Sequence, residues 1–375
     1  MRVLFRSFEE EFRRWLAARN TRAQWALLLV LSVVFFGVLE ILHLPAALML
    51  GPMVAAILLA ASETRIRVPN PLFYAAQAVI GCLIARGLPA SILGDLQKDW
   101  LLFLVVILLV VAVSTSTGWL LARSQVLPGT TAIWGASPGG ATAMILMSDA
   151  YGADMRLVAF MQYTRVVFVA TLASVVSALW TAGVGGMPAV VWFPPVDWPA
   201  FAETLAVGVV GAVVARRLRV PAGALLGPLV LGCVLQGFGL VKIELPHWLL
   251  AMSYAMVGWT VGLRFTRDIL VHAARAVPML AAAVLLLVVL CGGLAAMLVL
   301  AVGVDPLTAY LATSPGGMDT VAIIAATSNV NVPFVMAMQA CRLVVVLMAS
   351  PALTRFLAGR IEAAQAARAQ RVPEG

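Results

Sequence analysis

Charge is the first thing this chain lacks. Lys, Arg, Asp and Glu make up 11% of its 375 residues, against roughly 25% in a soluble globular domain. The mean hydropathy is +1.01. No soluble core could hide so much apolar surface, which leaves the bilayer as the solvent. Histidine is nearly absent as well. His43, His247 and His272 lie in different regions, and copper chemistry needs clustered imidazoles. The four cysteines, Cys82, Cys233, Cys291 and Cys341, all fall in apolar stretches, which argues against a disulfide framework or a metal site. No Walker-type loop is present to couple ATP. No nucleophile, metal cluster or acid–base pair suggests an enzyme. No soluble helix-turn-helix suggests nucleic-acid binding, and no cofactor is implied.

What is present is a repeat. Ser137-Pro138-Gly139-Gly140 recurs as Ser314-Pro315-Gly316-Gly317, and Gln162 and Arg165 recur as Gln339 and Arg342. The offset is constant: 314 − 137, 339 − 162 and 342 − 165 are each 177. Upstream, Pro45, Gly51 and Pro52 correspond to Pro221, Gly227 and Pro228. A break inside apolar sequence, followed by a cation and duplicated, is the pattern of membrane transporters with a central polar site.

At roughly 20 apolar residues per crossing, spans are expected near 25–44, 46–61, 72–86, 100–122 and 156–182, and again near 201–215, 222–240, 248–263, 276–302 and 332–357. The interrupted segments fall near 129–150 and 306–328. The arginines indicate that these segments dip in and return. With the N-terminus inside, Arg65, Arg67, Arg123, Arg156, Arg216, Arg217, Arg219, Arg264, Arg267 and Arg275 then lie in cytoplasmic connections. If the segments crossed, the 216–219 and 264–275 arginines would face outside, against the positive-inside rule.

The expected fold is therefore an all-α polytopic membrane protein of two inverted repeats. Each repeat has about five transmembrane helices and one broken or re-entrant Ser-Pro-Gly-Gly segment. Its parts are a basic amphipathic leader (1–24), repeat 1 (25–182), an external linker (183–200), repeat 2 (201–358) and a cytoplasmic tail (359–375). In the leader, Phe5, Phe8, Phe12, Trp15 and Leu16 share a helical face ringed by arginines, as in a helix lying on an anionic membrane surface. The location expected is the cell inner membrane, multi-pass, with both termini cytoplasmic.

Proline removes a backbone donor and glycine tolerates unusual backbone, so Ser-Pro-Gly-Gly breaks a helix. At membrane depth the freed groups need partners, and the next half-helix points its positive end at the break. The candidate substrate-binding residues are Ser137, Gly139, Gly140, Thr142, Gln162 and Arg165 in the first copy. In the second they are Ser314, Gly316, Gly317, Asp319, Thr320, Gln339 and Arg342. Arg165 and Arg342 sit near mid-span, where a charge is by default functional. Each Gln–Arg pair could offer a fork of donors to a carboxylate, or could clamp carbonyls of the broken segment or pair with Asp319 or Asp149. Asp319 has no acidic counterpart in the first copy, where Thr142 stands. It could carry the coupling ion or balance an arginine.

The Pro-x5-Gly-Pro, Ser-Pro-Gly-Gly and Gln-x-x-Arg motifs together resemble the membrane AbrB-type family, over about residues 25–358. That resemblance carries the labels of a regulator or an ammonia monooxygenase, and so implies regulation of gene expression. The five-plus-five architecture is similar to cation–proton antiporters and bile-acid symporters. The leading expectation is a secondary transporter or exporter of a small anionic or zwitterionic solute, coupled to protons or sodium. A membrane sensor acting on gene expression is the first alternative and a membrane enzyme the second. The partners expected are the lipid bilayer, the solute and a coupling proton or sodium ion, with no nucleic acid; a homo-oligomer is compatible with the sequence.

Overall fold

The structure, a computed structural model, describes residues 19–42, 46–87, 100–123, 131–136, 144, 148, 153–181, 192–193, 195–220, 223–267, 270, 277–343 and 345–346. The leader up to residue 18, the tail and the first Ser-Pro-Gly-Gly lie outside these residues. Every regular element among them is helical. In chain order these are α1 (Thr21–Ile41), α2 (Ala47–Ala61), α3 (Asn70–Gly87), α4 (Trp100–Arg123), α5 (Thr131–Ala136) and α6 (Met155–Thr181). They continue with α7 (Trp198–Arg217), α8 (Gly223–Gly237), α9 (His247–Gly262), α10 (Val277–Val302), α11 (Pro306–Thr313), α12 (Met318–Ala326) and α13 (Val332–Leu343).

The helices follow the expected spans closely. α1 starts four residues early (25 − 21) because Asn20 caps it, its Oδ1 accepting from Ala23 N at 2.8 Å. Five segments are long and apolar enough to cross a bilayer: Thr21–Ile41, Phe103–Leu121, Met155–Leu179, Trp198–Arg217 and Pro278–Val302. Shorter apolar helices (α2, α8 and α13) accompany them. Large apolar side chains lie exposed along several of these helices, with Val33 at 67% and Leu300 at 88%. Exposed faces of this extent need an apolar environment, so the chain is a polytopic membrane protein.

The element starts recur at the repeat offset. Thr21 and Trp198, Asn70 and His247, Trp100 and Val277, and Met155 and Val332 are each 177 apart (198 − 21, 247 − 70, 277 − 100, 332 − 155). The chain forms two compact units, and each draws on both halves of the sequence.

The first unit contains α1–α3 and α7–α9. Here α2 packs on α9 while α3 packs on α8, an exchange in which each half supplies the same pair of helices. The crossings recur residue by residue. A Cβ on Gly81 of α3 would strike Leu225 O and sit 3.2 Å from Pro228 Cβ. A Cβ on Gly258 of α9 would strike Met49 O and sit 3.1 Å from Met53 N. One turn on, a Cβ on Gly262 would sit 2.6 Å from Ala56 Cβ, and in the matching crossing a Cβ on Gly232 would sit 2.8 Å from Ala85 Cβ. In lipid, small residues let helix backbones close up and gain dispersion contacts. The unit also holds a buried cluster of Leu28, Leu59, Ile66 and Trp259. In that cluster Trp259 Nε1 donates to Ser32 Oγ at 2.9 Å, and that hydroxyl donates to Leu28 O at 2.6 Å.

The second unit contains α4, α5, α6 up to Val169, α10, α11 and α13 from Phe334. α4 packs on α5 and on α10, and α10 packs on α11. Val110, Leu287 and Cys291 form its α4–α10 contact, and the tilted rings of Phe103 and Phe334 pack with centroids 5.3 Å apart.

The close crossings predict unequal tolerance of glycine replacement. Gly81→Leu and Gly258→Leu should each destabilise the protein by about 1–3 kcal/mol or more, the cost of overpacking. Gly292→Ala in α10, where a Cβ meets nothing within 4 Å, should be neutral or mildly stabilising. Thermal unfolding of the purified protein in detergent checks this, and equal melting temperatures for all three variants would contradict it.

Candidate functional site

Asp305 opens the second broken segment. Its Oδ2 accepts from Thr308 N at 2.8 Å, and Pro306 follows at the first helical position, both favourable at a helix start. The helix runs to Thr313. Ser314 then turns extended, with φ −55 and ψ 131, as a residue before proline is pushed to do. α12 begins at Met318, just past the two glycines. The break itself is thus set by local chemistry.

Its consequence is electrical. The last carbonyls of a helix lack intrahelical donors and form the negative end of its dipole. Leu311 O would ordinarily receive the N–H of residue 315, four positions on, but that residue is Pro315 and has none. Gln339 supplies the missing donor: its Nε2 reaches Leu311 O at 2.8 Å and Ser314 O at 3.2 Å. Two carbonyl partners fix the side-chain amide orientation, with the NH2 facing the helix end. Arg342, one turn later on α13, donates from Nη1 to Ser314 O and from Nη2 to Gly316 O at 2.8 Å. Thr313 Oγ1 lies 2.9 Å from Ala309 O and 3.2 Å from Cys291 O, tying the helix end to α10. Gln339 is fully buried and Arg342 is 5% exposed.

The first copy repeats this arrangement. Trp134 O lies four positions before Pro138, and Gln162 Nε2 donates to it at 3.0 Å. Both bonds span the same 28 residues (162 − 134 and 339 − 311). Arg165 donates from Nη1 to Ala136 O at 3.3 Å. It also donates from Nη2 to Gln162 Oε1 at 2.8 Å. Thr131 at the head of α5 accepts from Asp154 N through its hydroxyl at 3.1 Å. Arg165, Arg342 and Cys291 lie within electrostatic reach of one another. The unit therefore holds two buried guanidinium charges that feel one another, Arg165 at the end of α5 and Arg342 at the end of α11.

Of the candidate residues, Gln162, Arg165, Ser314, Gly316, Gln339 and Arg342 come together in this unit. Gly317 follows them and is half-buried, and Thr320 is buried on α12, in the stretch assigned to the first unit. Asp319 is helical in backbone, and its side chain is outside what is described. Ser137, Gly139, Gly140 and Thr142 lie outside the described residues. Sequence reasoning missed Leu311, Trp134, Thr313 and Cys291. The first two could have been found by counting back one hydrogen-bond step from each proline. Among the described residues no group of three or more His, Cys, Asp or Glu side chains could hold a metal ion.

Because each glutamine substitutes for a missing proline N–H, Gln339→Leu and Gln162→Leu should each cost about 1–3 kcal/mol of stability, the penalty of leaving a buried carbonyl without a donor. Gln339→Glu should do the same, since a carboxylate cannot donate. Melting temperatures of the three variants against wild type check this, and unchanged values would show that the carbonyls find other donors.

A relative from Escherichia coli (strain K12), named as a candidate regulator AbrB, is 46% identical over 337 residues, which is 89% of this chain and 96% of the relative. An uncharacterised protein, YhjN, from Bacillus subtilis (strain 168) is 25% identical over 305 residues, 75% of this chain and 77% of the relative. Neither name is that of an enzyme. The family model described as "Transition state regulatory protein AbrB" matches residues 48–358, both breaks and both Gln–Arg pairs included. With that match across most of its length, the chain belongs to the AbrB family.

Proposed function

We propose that the protein is a secondary transporter or exporter of a small anionic or zwitterionic solute, driven by protons or sodium. The observation that carries this reading is the pair of buried arginines, Arg165 and Arg342, at equivalent places of a duplicated chain, one on the end of α5 and the other on the break after α11. Transporters built from inverted repeats use broken helices at their solute sites. An arginine inside the membrane is expensive and persists where it serves a solute or ion.

The arginine forks are turned on carbonyls, so their Nη groups act first as clamps. Their charge remains, and it favours an anionic group nearby. The basic connections at Arg65 and Arg67, at Arg216, Arg217 and Arg219, and at Arg264 and Arg267 support inversion of the second copy by the positive-inside rule. On this reading both termini are cytoplasmic, the membrane is the inner one, and Asp319 carries the coupling ion or balances an arginine. The 1–24 leader lies on the membrane surface.

The description of the family as regulatory and the name of the Escherichia coli relative favour a second reading, a membrane sensor whose bound ligand acts on gene expression. Flux separates the two. Protein reconstituted in liposomes should move a carboxylate or amino acid when a proton or sodium gradient is imposed. Arg342→Lys should lower the melting temperature, because lysine keeps the charge but loses the planar fork. It should also lower flux. Binding of the solute with no flux under any gradient would overturn the transporter and leave the sensor.

A further inference from the structure

The two copies carry the same motif but do not use it alike. In the first copy Gln162 Oε1 is occupied by Arg165 Nη2 at 2.8 Å. In the second, both Nη atoms of Arg342 go to the backbone at Ser314 and Gly316. This leaves Gln339 Oε1 without a hydrogen-bond partner among the described residues. Two more atoms on the same cluster share that condition: Arg342 Nε and Ser314 Oγ. All three residues meet at Ser314 O, which accepts from both Gln339 and Arg342. Ser314 and Gln339 are fully buried and Arg342 is 5% exposed. Two donors and one acceptor are thus gathered at one helix break and shut off from solvent.

Buried polar atoms are almost always partnered, and each one left bare destabilises the fold. Three on one hydrogen-bonded cluster call for an occupant with matching groups. A donor pair made of a hydroxyl and a guanidinium Nε–H suits a carboxylate. The acceptor beside them suits an N–H or O–H on the same small molecule.

Resting on the transporter reading, we infer that the second break seats the solute. The Ser314 hydroxyl and Arg342 Nε–H donate to its carboxylate, and Gln339 Oε1 accepts from an amino or hydroxyl group on the neighbouring carbon. The ligand class is a small α-amino or α-hydroxy carboxylate.

Ser314→Ala removes only the partnerless hydroxyl and keeps the carbonyl that Gln339 and Arg342 hold. The full-length protein in detergent is titrated with glycine, L-lactate and acetate, reading melting temperature and heat of binding. Glycine or L-lactate should bind more tightly than acetate. Ser314→Ala should weaken that binding about tenfold or more without lowering the melting temperature of the free protein. Ser314→Thr should retain part of it. The inference is overturned if Ser314→Ala leaves affinity unchanged, or if none of the three compounds binds. Flux of the same compound in liposomes keeps the two claims apart. Binding without flux removes the transporter and leaves the site. Flux that survives Ser314→Ala removes the site and leaves the transporter.

Discussion

A carbonyl that loses its N–H partner to a proline has nowhere to turn inside a bilayer. In water the solvent would satisfy it; in hydrocarbon an unsatisfied backbone group costs several kcal/mol. Pro315 creates that situation for Leu311 O, and Gln339 Nε2 resolves it at 2.8 Å. The adjoining Ser314 carbonyl, at the negative end of the same helix, and the Gly316 carbonyl just beyond Pro315 are taken by Arg342. A neutral donor thus replaces the lost hydrogen bond, and a cation balances the exposed dipole. The repeat of this bond in the first copy, from Gln162 to Trp134 O at 3.0 Å, shows that the solution belongs to the motif and not to one accident of packing.

This constraint explains why charge can be kept at such depth. A lone guanidinium in the membrane interior is costly, but one that donates to two carbonyls at a helix end recovers part of its lost hydration. The arginine and the broken helix therefore stabilise each other. Removing the break would strand the cation, and removing the cation would strand the carbonyls. The contrast between copies lies in what remains after this exchange. In the first, the glutamine oxygen closes on the arginine. In the second, Gln339 Oε1 has no hydrogen-bond partner among the described residues.

Much of this was legible in the sequence. Apolar runs located the helices to within a few residues, since hydropathy registers crossings directly. Ser-Pro-Gly-Gly marked a break, and α11 and α12 stop and start on either side of it. The Gln-x-x-Arg spacing placed both side chains on one helical face, where Gln339 and Arg342 now share Ser314 O. The partner of each pair was not legible. A fork of donors reads alike whether it faces a carboxylate or a backbone carbonyl, and only the fold shows that Leu311 and Trp134 lie within reach. The compact units were also hidden. Packing of α2 on α9 and α3 on α8 depends on small residues meeting across halves far apart in sequence, which periodicity within one helix does not reveal.

The central claim is that a glutamine side chain takes the place of a proline's missing donor. Solid-state NMR on protein in lipid bilayers tests it most directly, with 15N in the glutamine side chains and 13C in the leucine carbonyls. The account predicts a through-space contact between Gln339 Nε2 and the Leu311 carbonyl that vanishes in Gln339→Leu. A Leu311 carbonyl with no contact to Gln339 in the wild-type protein would contradict it.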